Sequence, residues 1–264
     1  MAQQQIIPDA VLGSSERALL GEQTASSLIR NVWRVYRQHF VPIVLTFFLP
    51  TFPLLLLAQM VRTSSEGLAL AATFAYMVML FVASGALTVT LADICLGTMP
   101  TMQRSFACVL RNRTWLKLLR TGLLVGVLTW LGILLLVLPG MWFAMRSLFS
   151  STIVVLEGRS GRDAVRRSFA LTRGQFWRLS GLFSLVLLLG FVFIFVVGLV
   201  AGLVGGFGGM DEGYMAHAFE VLSNLLTLGL VMPAFGIAMV LLYYDQRVRR
   251  ESYDARALSE DLMR

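Results

Sequence analysis

Six apolar stretches, each about as long as a helix needs to cross a bilayer, alternate with arginine clusters along this chain. They run Val41–Val61, Leu68–Ala92, Leu118–Leu138, Met141–Leu156, Leu179–Val204 and Leu222–Tyr244. A crossing helix needs about 20 apolar residues at about 1.5 Å each. The fourth stretch is short and is separated from the third by Pro139-Gly140, a turn signal. Composition agrees with this. Apolar residues make up 57% and charged residues 14%, against roughly 25% charged in soluble domains. Such a chain cannot cover a water-facing surface, so the expected class is an all-α, polytopic membrane protein with six spans.

The charge distribution sets the expected orientation. The net charge is +7, which in a soluble chain would suggest nucleic acid. Here the basic residues sit between spans. Arg30, Arg34 and Arg37 precede the first span, and Arg104, Arg111, Arg113, Lys117 and Arg120 surround the entry to the third. A third cluster runs from Arg159 to Arg178, and Arg247, Arg249 and Arg250 follow the sixth span. The alternate loops carry Glu66, Asp211, Glu212 and only Arg62. Positive residues stay in the cytoplasm. Both termini are therefore expected there, in a bacterial inner membrane, with no nucleic-acid partner. Cys95 and Cys108 fall on the reducing side and are expected as free thiols. The N-terminus lacks the basic start and apolar core of a signal peptide.

An internal repeat is visible. "SLIRNVWRVYRQHFVPIV" at 27–44 aligns with "DAVRRSFALTRGQFWRLS" at 163–180, and "SFACVLRNRTWLKLLR" at 105–120 is a looser copy. Leu28, Ile29, Val32, Trp33 and Tyr36 recur at helical spacing, as do Val165, Phe169, Thr172 and Phe176. Ser160 with Asp163 fits a capping box for the second helix. Each copy reads as an amphipathic helix lying on the membrane surface, followed by a helical hairpin. The returning spans end on Asp93, Glu157 and Asp245. Charge at that depth is best tolerated when paired, and Arg30, Arg166 and Arg167 are the expected partners. Three repeats result, at about 24–98, 99–158 and 159–250, between a disordered cytoplasmic tail at 1–23 and a C-terminal tail at 251–264.

"VLEGRSGRDAVRRSFALTRGQFWR", followed two spans later by "LLYYDQRVRRESYD", resembles the membrane domain associated with bacterial glycerophosphoryl diester phosphodiesterases. It also resembles related six-span bacterial families of uncharacterised function. The resemblance covers about residues 24–254. In some members the domain is fused to a soluble phosphodiesterase barrel. About twenty residues follow the sixth span here, so no barrel and no enzymatic residue are expected from the resemblance.

The residues themselves suggest no catalytic or metal site and no cofactor. His39 and His217 fall at opposite membrane faces in this topology, and no Cys/His/Asp spacing fits zinc. "GGFGGMDEG" at 205–213 lacks the lysine of a phosphate loop and reads as an external loop. Arg146 is the candidate binding residue, with Ser147, Ser150 and Ser151 close by. An intramembrane arginine there could hold an anion or could reach the nearby surface by snorkelling. Pro50, Pro53 and Pro233 interrupt spans, and Gly122/Gly126 and Gly198/Gly202/Gly206 permit close helix approach. The favoured function is a non-enzymatic scaffold or accessory protein that engages anionic membrane lipids or protein partners. A transporter or channel for a small or lipidic anion, built on Arg146 and the proline-broken spans, is the alternative. A membrane-embedded lipid-processing enzyme has the least support.

Overall fold

A computed structural model describes residues 23–61, 66–207, 219 and 222–251. The expected N-terminal tail through residue 22, most of the Gly-rich loop, His217 and the C-terminal tail after Glu251 lie outside the described residues. All regular elements among the described residues are helices. In chain order they are α1 (Ala25–Gln38), α2 (Phe40–Met60), α3 (Glu66–Cys95), α4 (Met102–Leu110), α5 (Thr114–Leu135), α6 (Val137–Arg146), α7 (Ser150–Leu156), α8 (Arg162–Thr172) and α9 (Phe176–Phe207). The last, α10, runs Leu222–Glu251 and contains a π-helical turn at Thr227–Val231.

Among the described residues five helices, α2, α3, α5, α9 and α10, are long and apolar enough to cross a membrane. The fourth expected span is instead two shorter helices, α6 and α7, separated at Ser147–Phe149. Ser147 helps cause the break. Its hydroxyl donates to the carbonyls of Phe143 (2.8 Å) and Ala144 (3.1 Å), a back-bonding that bends helices. The expected Pro139-Gly140 turn is also displaced. The chain reverses at Leu136, which is extended, and Pro139 falls in the first turn of α6, where its missing N–H costs nothing. Gly140 then packs against α5. A side chain there would come within 2.4 Å of the Ile133 nitrogen.

Packing is concentrated at the arginine-bearing ends of the long helices. In α3 no residue from Glu66 to Phe81 is buried, whereas every residue from Val82 to Cys95 except Ser84 is. In α10 the buried residues run mainly from Pro233 to Gln246. Between Phe183 and Val200 of α9 no residue is buried. That surface suits acyl chains, which are as apolar as the side chains that meet them. The glycine motifs are only partly used. Gly122 lies against Phe81 and Gly198 against Phe219, while Gly126 and Gly202 face open space.

The short helices differ from expectation in which face they bury. In α1 the buried positions are Leu28, Asn31 and Val35, and Trp33 is 65% exposed. In α8 they are Ala164, Ser168, Leu171 and Thr172. Periodicity marks apolar faces but cannot separate a protein-facing one from a lipid-facing one. The expected Ser160/Asp163 capping box does not form, because Gly161, at φ +58°, is the N-cap of α8 and supplies no side chain. A capping box does occur at α1, between Thr24 and Ser27. Cys95 is buried and Cys108 exposed, and neither is in a disulfide among the described residues.

Candidate functional site

Carboxylates stand at or near the C-terminal ends of α3, α7 and α10, and each meets arginine. Glu157 follows α7. The Arg167 Nε of α8 lies 3.0 Å from both of its oxygens, Arg159 Nε lies at 3.0 Å, and the Tyr243 hydroxyl donates at 3.0 Å. Asp245, fully buried in α10, accepts from Arg178 Nη1 (2.8 Å), Arg249 Nε (2.9 Å), Gln246 Nε2 (2.9 Å) and the backbone N–H of Gln23 (2.6 Å). Arg178 also donates to the Gln23 carbonyl. Asp93, buried near the end of α3, has one arginine neighbour, Arg104 Nη2 of α4, at 3.3 Å. Its carboxylate oxygens make no hydrogen bond among the described residues.

A buried carboxylate is tolerable only when its charge and lone pairs are matched. Glu157 and Asp245 meet that condition in full, and Asp93 through a single ion pair. The Arg167 guanidinium in turn reaches Glu251, with Nη2 to Oε2 at 2.7 Å. The Glu251 hydrogen bond and the neighbouring Glu157 charge hold Arg167 protonated, above its ordinary value.

Of the expected partners, Arg167 pairs with Glu157, whereas Arg30 and Arg166 enter no ion pair among the described residues. Arg104, Arg159, Arg178 and Arg249 act in their place. Arg249 was findable in the sequence, since it stands four residues after Asp245 on one helix. Gln23, Arg178 and Tyr243 carry no such local signal.

Arg146 closes α6 against α8. Its carbonyl accepts from the Ser168 hydroxyl (2.8 Å), which itself accepts from the Phe149 N–H (3.2 Å). Its guanidinium lies over Phe169 (5.0 Å to the ring centre) and Trp142 (5.5 Å), within cation–π range. The charges acting on it are Arg173 and Arg250, both cations, and its buried Nε has no hydrogen-bond partner among the described residues. The serines do not converge on it. Ser147 bonds its own helix, Ser150 is buried with a hydroxyl that has no partner among the described residues, and Ser151 is exposed.

Residues 123–256 match the family described as the membrane domain of glycerophosphoryl diester phosphodiesterase. The chain belongs to this family. It is a multi-pass membrane protein. No curated protein and no solved structure matches it. The stretch matched to the membrane-domain family contains Glu157 and Asp245 with Arg159, Arg167, Arg178 and Arg249, as well as Arg146. The Asp93–Arg104 pair precedes it.

Proposed function

We propose that this membrane domain is a non-enzymatic, six-span protein of a bacterial inner membrane, with both termini in the cytoplasm. Its arginine-rich short helices engage anionic lipid headgroups and so hold the protein and its partners at the inner leaflet. One observation carries the reading. The carboxylates of the packed layer are occupied by a subset of the arginines, leaving Arg30, Arg37, Arg120, Arg166 and Arg173 exposed and outside any ion pair among the described residues. Trp33 and Trp177, 65% and 85% exposed, stand among them, and tryptophan favours the headgroup level. Each such arginine gains about 1 kcal/mol near an anionic surface.

The pairing pattern supports three repeats. Asp93 meets Arg104 on the next short helix, α4, and Glu157 meets Arg167 on the next, α8. Asp245 meets the Gln23 N–H, two residues before α1, so the third hairpin returns to the first short helix. Together α6, of 10 residues, and α7, of 7, supply about 25 Å of helix, which with the turn between them is long enough for a sixth crossing. A structural role for the polar groups is supported by their bonding, since Ser147, Ser168 and Thr172 are engaged with main-chain carbonyls. The test is lipid co-purification. Lipid retained by the protein should be enriched in anionic species relative to the source membrane, and an unenriched profile would overturn the reading.

The charges of Arg173 and Arg250 act on Arg146, with no carboxylate acting on it among the described residues, and this favours a second reading, passage of a small or lipidic anion. Uptake of an anion into proteoliposomes that is abolished by Arg146→Ala in a folded protein would establish it, and absence of uptake would remove it.

A further inference from the structure

A groove of about 500 Å³ runs along one side of α5 and is basic at one end only. Arg120, Gly161 and Arg162 line that end, and Leu123, Leu124 and Val127 line the rest. Arg120 and Val127 stand about 10 Å apart along the helix, so the groove leads from a charged rim onto an apolar wall. Both arginines are exposed, and neither enters an ion pair among the described residues. Gly161 closes the junction between them. Its N–H donates to the Thr121 hydroxyl at 2.7 Å, and a side chain there would meet the Arg120 Nε at 3.6 Å. Gly161 caps α8 without a side chain, and Asp163 in the first turn offsets part of the positive pole of that helix, so the positive charge at this end of the groove is that of the two guanidinium groups. Asp163, in the same turn, lines a separate hollow of about 340 Å³ with Arg159, Arg166 and Arg167.

We propose that this groove holds one diacyl phospholipid with a net-negative headgroup. Its phosphate lies between Arg120 and Arg162, and an acyl chain follows Leu123, Leu124 and Val127. The proposal rests on the headgroup-binding reading above and gives it a site. Guanidinium groups make paired, charge-assisted hydrogen bonds to phosphate oxygens, and these supply the discrimination. Lipid tails are already in an apolar medium, so the leucine wall contributes placement rather than affinity. A soluble phosphate would lack that placement, and the lipid's tether raises the effective concentration of its headgroup at the arginines.

Native mass spectrometry of the delipidated protein, titrated with phosphatidylglycerol or phosphatidylcholine, tests this. One phosphatidylglycerol should bind first, about tenfold tighter than phosphatidylcholine, as expected when charge-assisted bonds separate the two. Arg120→Gln with Arg162→Gln should abolish that preference. Should the double variant not fold, Arg162→Gln alone decides the question, with binding expected to be about threefold weaker through loss of one of two such contacts. A tight phosphatidylglycerol that survives these substitutions would overturn the groove assignment while leaving the general headgroup reading standing. No preference in the unsubstituted protein would overturn both. Free glycerol 1-phosphate at matched concentration should leave the lipid bound, and its displacing the lipid would assign the site to a soluble phosphate instead.

Discussion

The Tyr36 hydroxyl of α1 donates a 2.8 Å hydrogen bond to the carbonyl of Gly229, inside the π-helical turn of α10. A π turn takes carbonyls out of the regular α ladder, and Tyr36 satisfies this one from a neighbouring helix. The short helix is thereby tied to the last span. Tyr36→Phe is expected to cost about 1–2 kcal/mol, the loss of a bond plus an unsatisfied carbonyl. Thermal unfolding in detergent micelles at pH 7 measures it.

The same phenol gives a pH dependence. Burial pushes its pKa up to about 12, against about 10 in an unfolded chain. A raised folded value means that its contribution is complete below pH 10 and is lost as pH rises toward 12. The unsubstituted protein is expected to lose more stability than Tyr36→Phe between pH 10 and 12. Parallel losses in the two proteins would contradict the placement of Tyr36.

Asp245 is fully buried and its partner Arg178 partly so, a pair that is expensive to break from the Asp245 side. Asp245→Asn leaves the Arg178 guanidinium without its charge partner and is expected to cost about 3–5 kcal/mol. Arg249→Gln removes a single contact to Asp245 Oδ1 and leaves Arg178 in place, and is expected to cost about 0.5–1 kcal/mol. A double-mutant cycle of Asp245→Asn with Arg178→Gln should show coupling of about 1–3 kcal/mol. Additive losses would show that the two side chains do not interact.

Two glycines on one hairpin should respond oppositely to alanine. A Cβ at Gly140 would sit 2.4 Å from the Ile133 nitrogen, a backbone atom that must move, whereas Gly126 has nothing within 4 Å. Gly140→Ala is expected to destabilise by about 1–3 kcal/mol through overpacking. Gly126→Ala is expected to be neutral or to stabilise by up to about 1 kcal/mol through helix propensity. Unfolding temperatures of the two variants separate these outcomes.

The long apolar helices and the carboxylates at the returning ends were legible in the sequence because length, hydropathy and spacing are local. The division of the fourth stretch at Ser147 was not, since it depends on a serine turning back onto its own helix. Arg166 aligns with Arg30 in the repeat, yet neighbouring Arg167 is the residue that reaches Glu157. Repeat alignment gives a register, and the direction of a side chain around its helix decides the partner. Gln23 and Asp245, 222 residues apart, meet through a backbone N–H that has no sequence signature. The basic groove was illegible for a related reason. Arg120 and Arg162 come from different helices and become neighbours only when Gly161 docks on Thr121.

The claim beneath the rest is that the arginine-rich short helices share one membrane face. Single cysteines answer it directly, introduced as Arg34→Cys, Arg111→Cys, Arg166→Cys or Ser64→Cys after Cys95 and Cys108 are replaced by serine. Labelling with a membrane-impermeant maleimide is compared in right-side-out and inverted vesicles. The three arginine positions should label only in inverted vesicles, and Ser64→Cys only in right-side-out ones. Labelling of Arg34→Cys and Arg166→Cys from opposite faces would contradict the account.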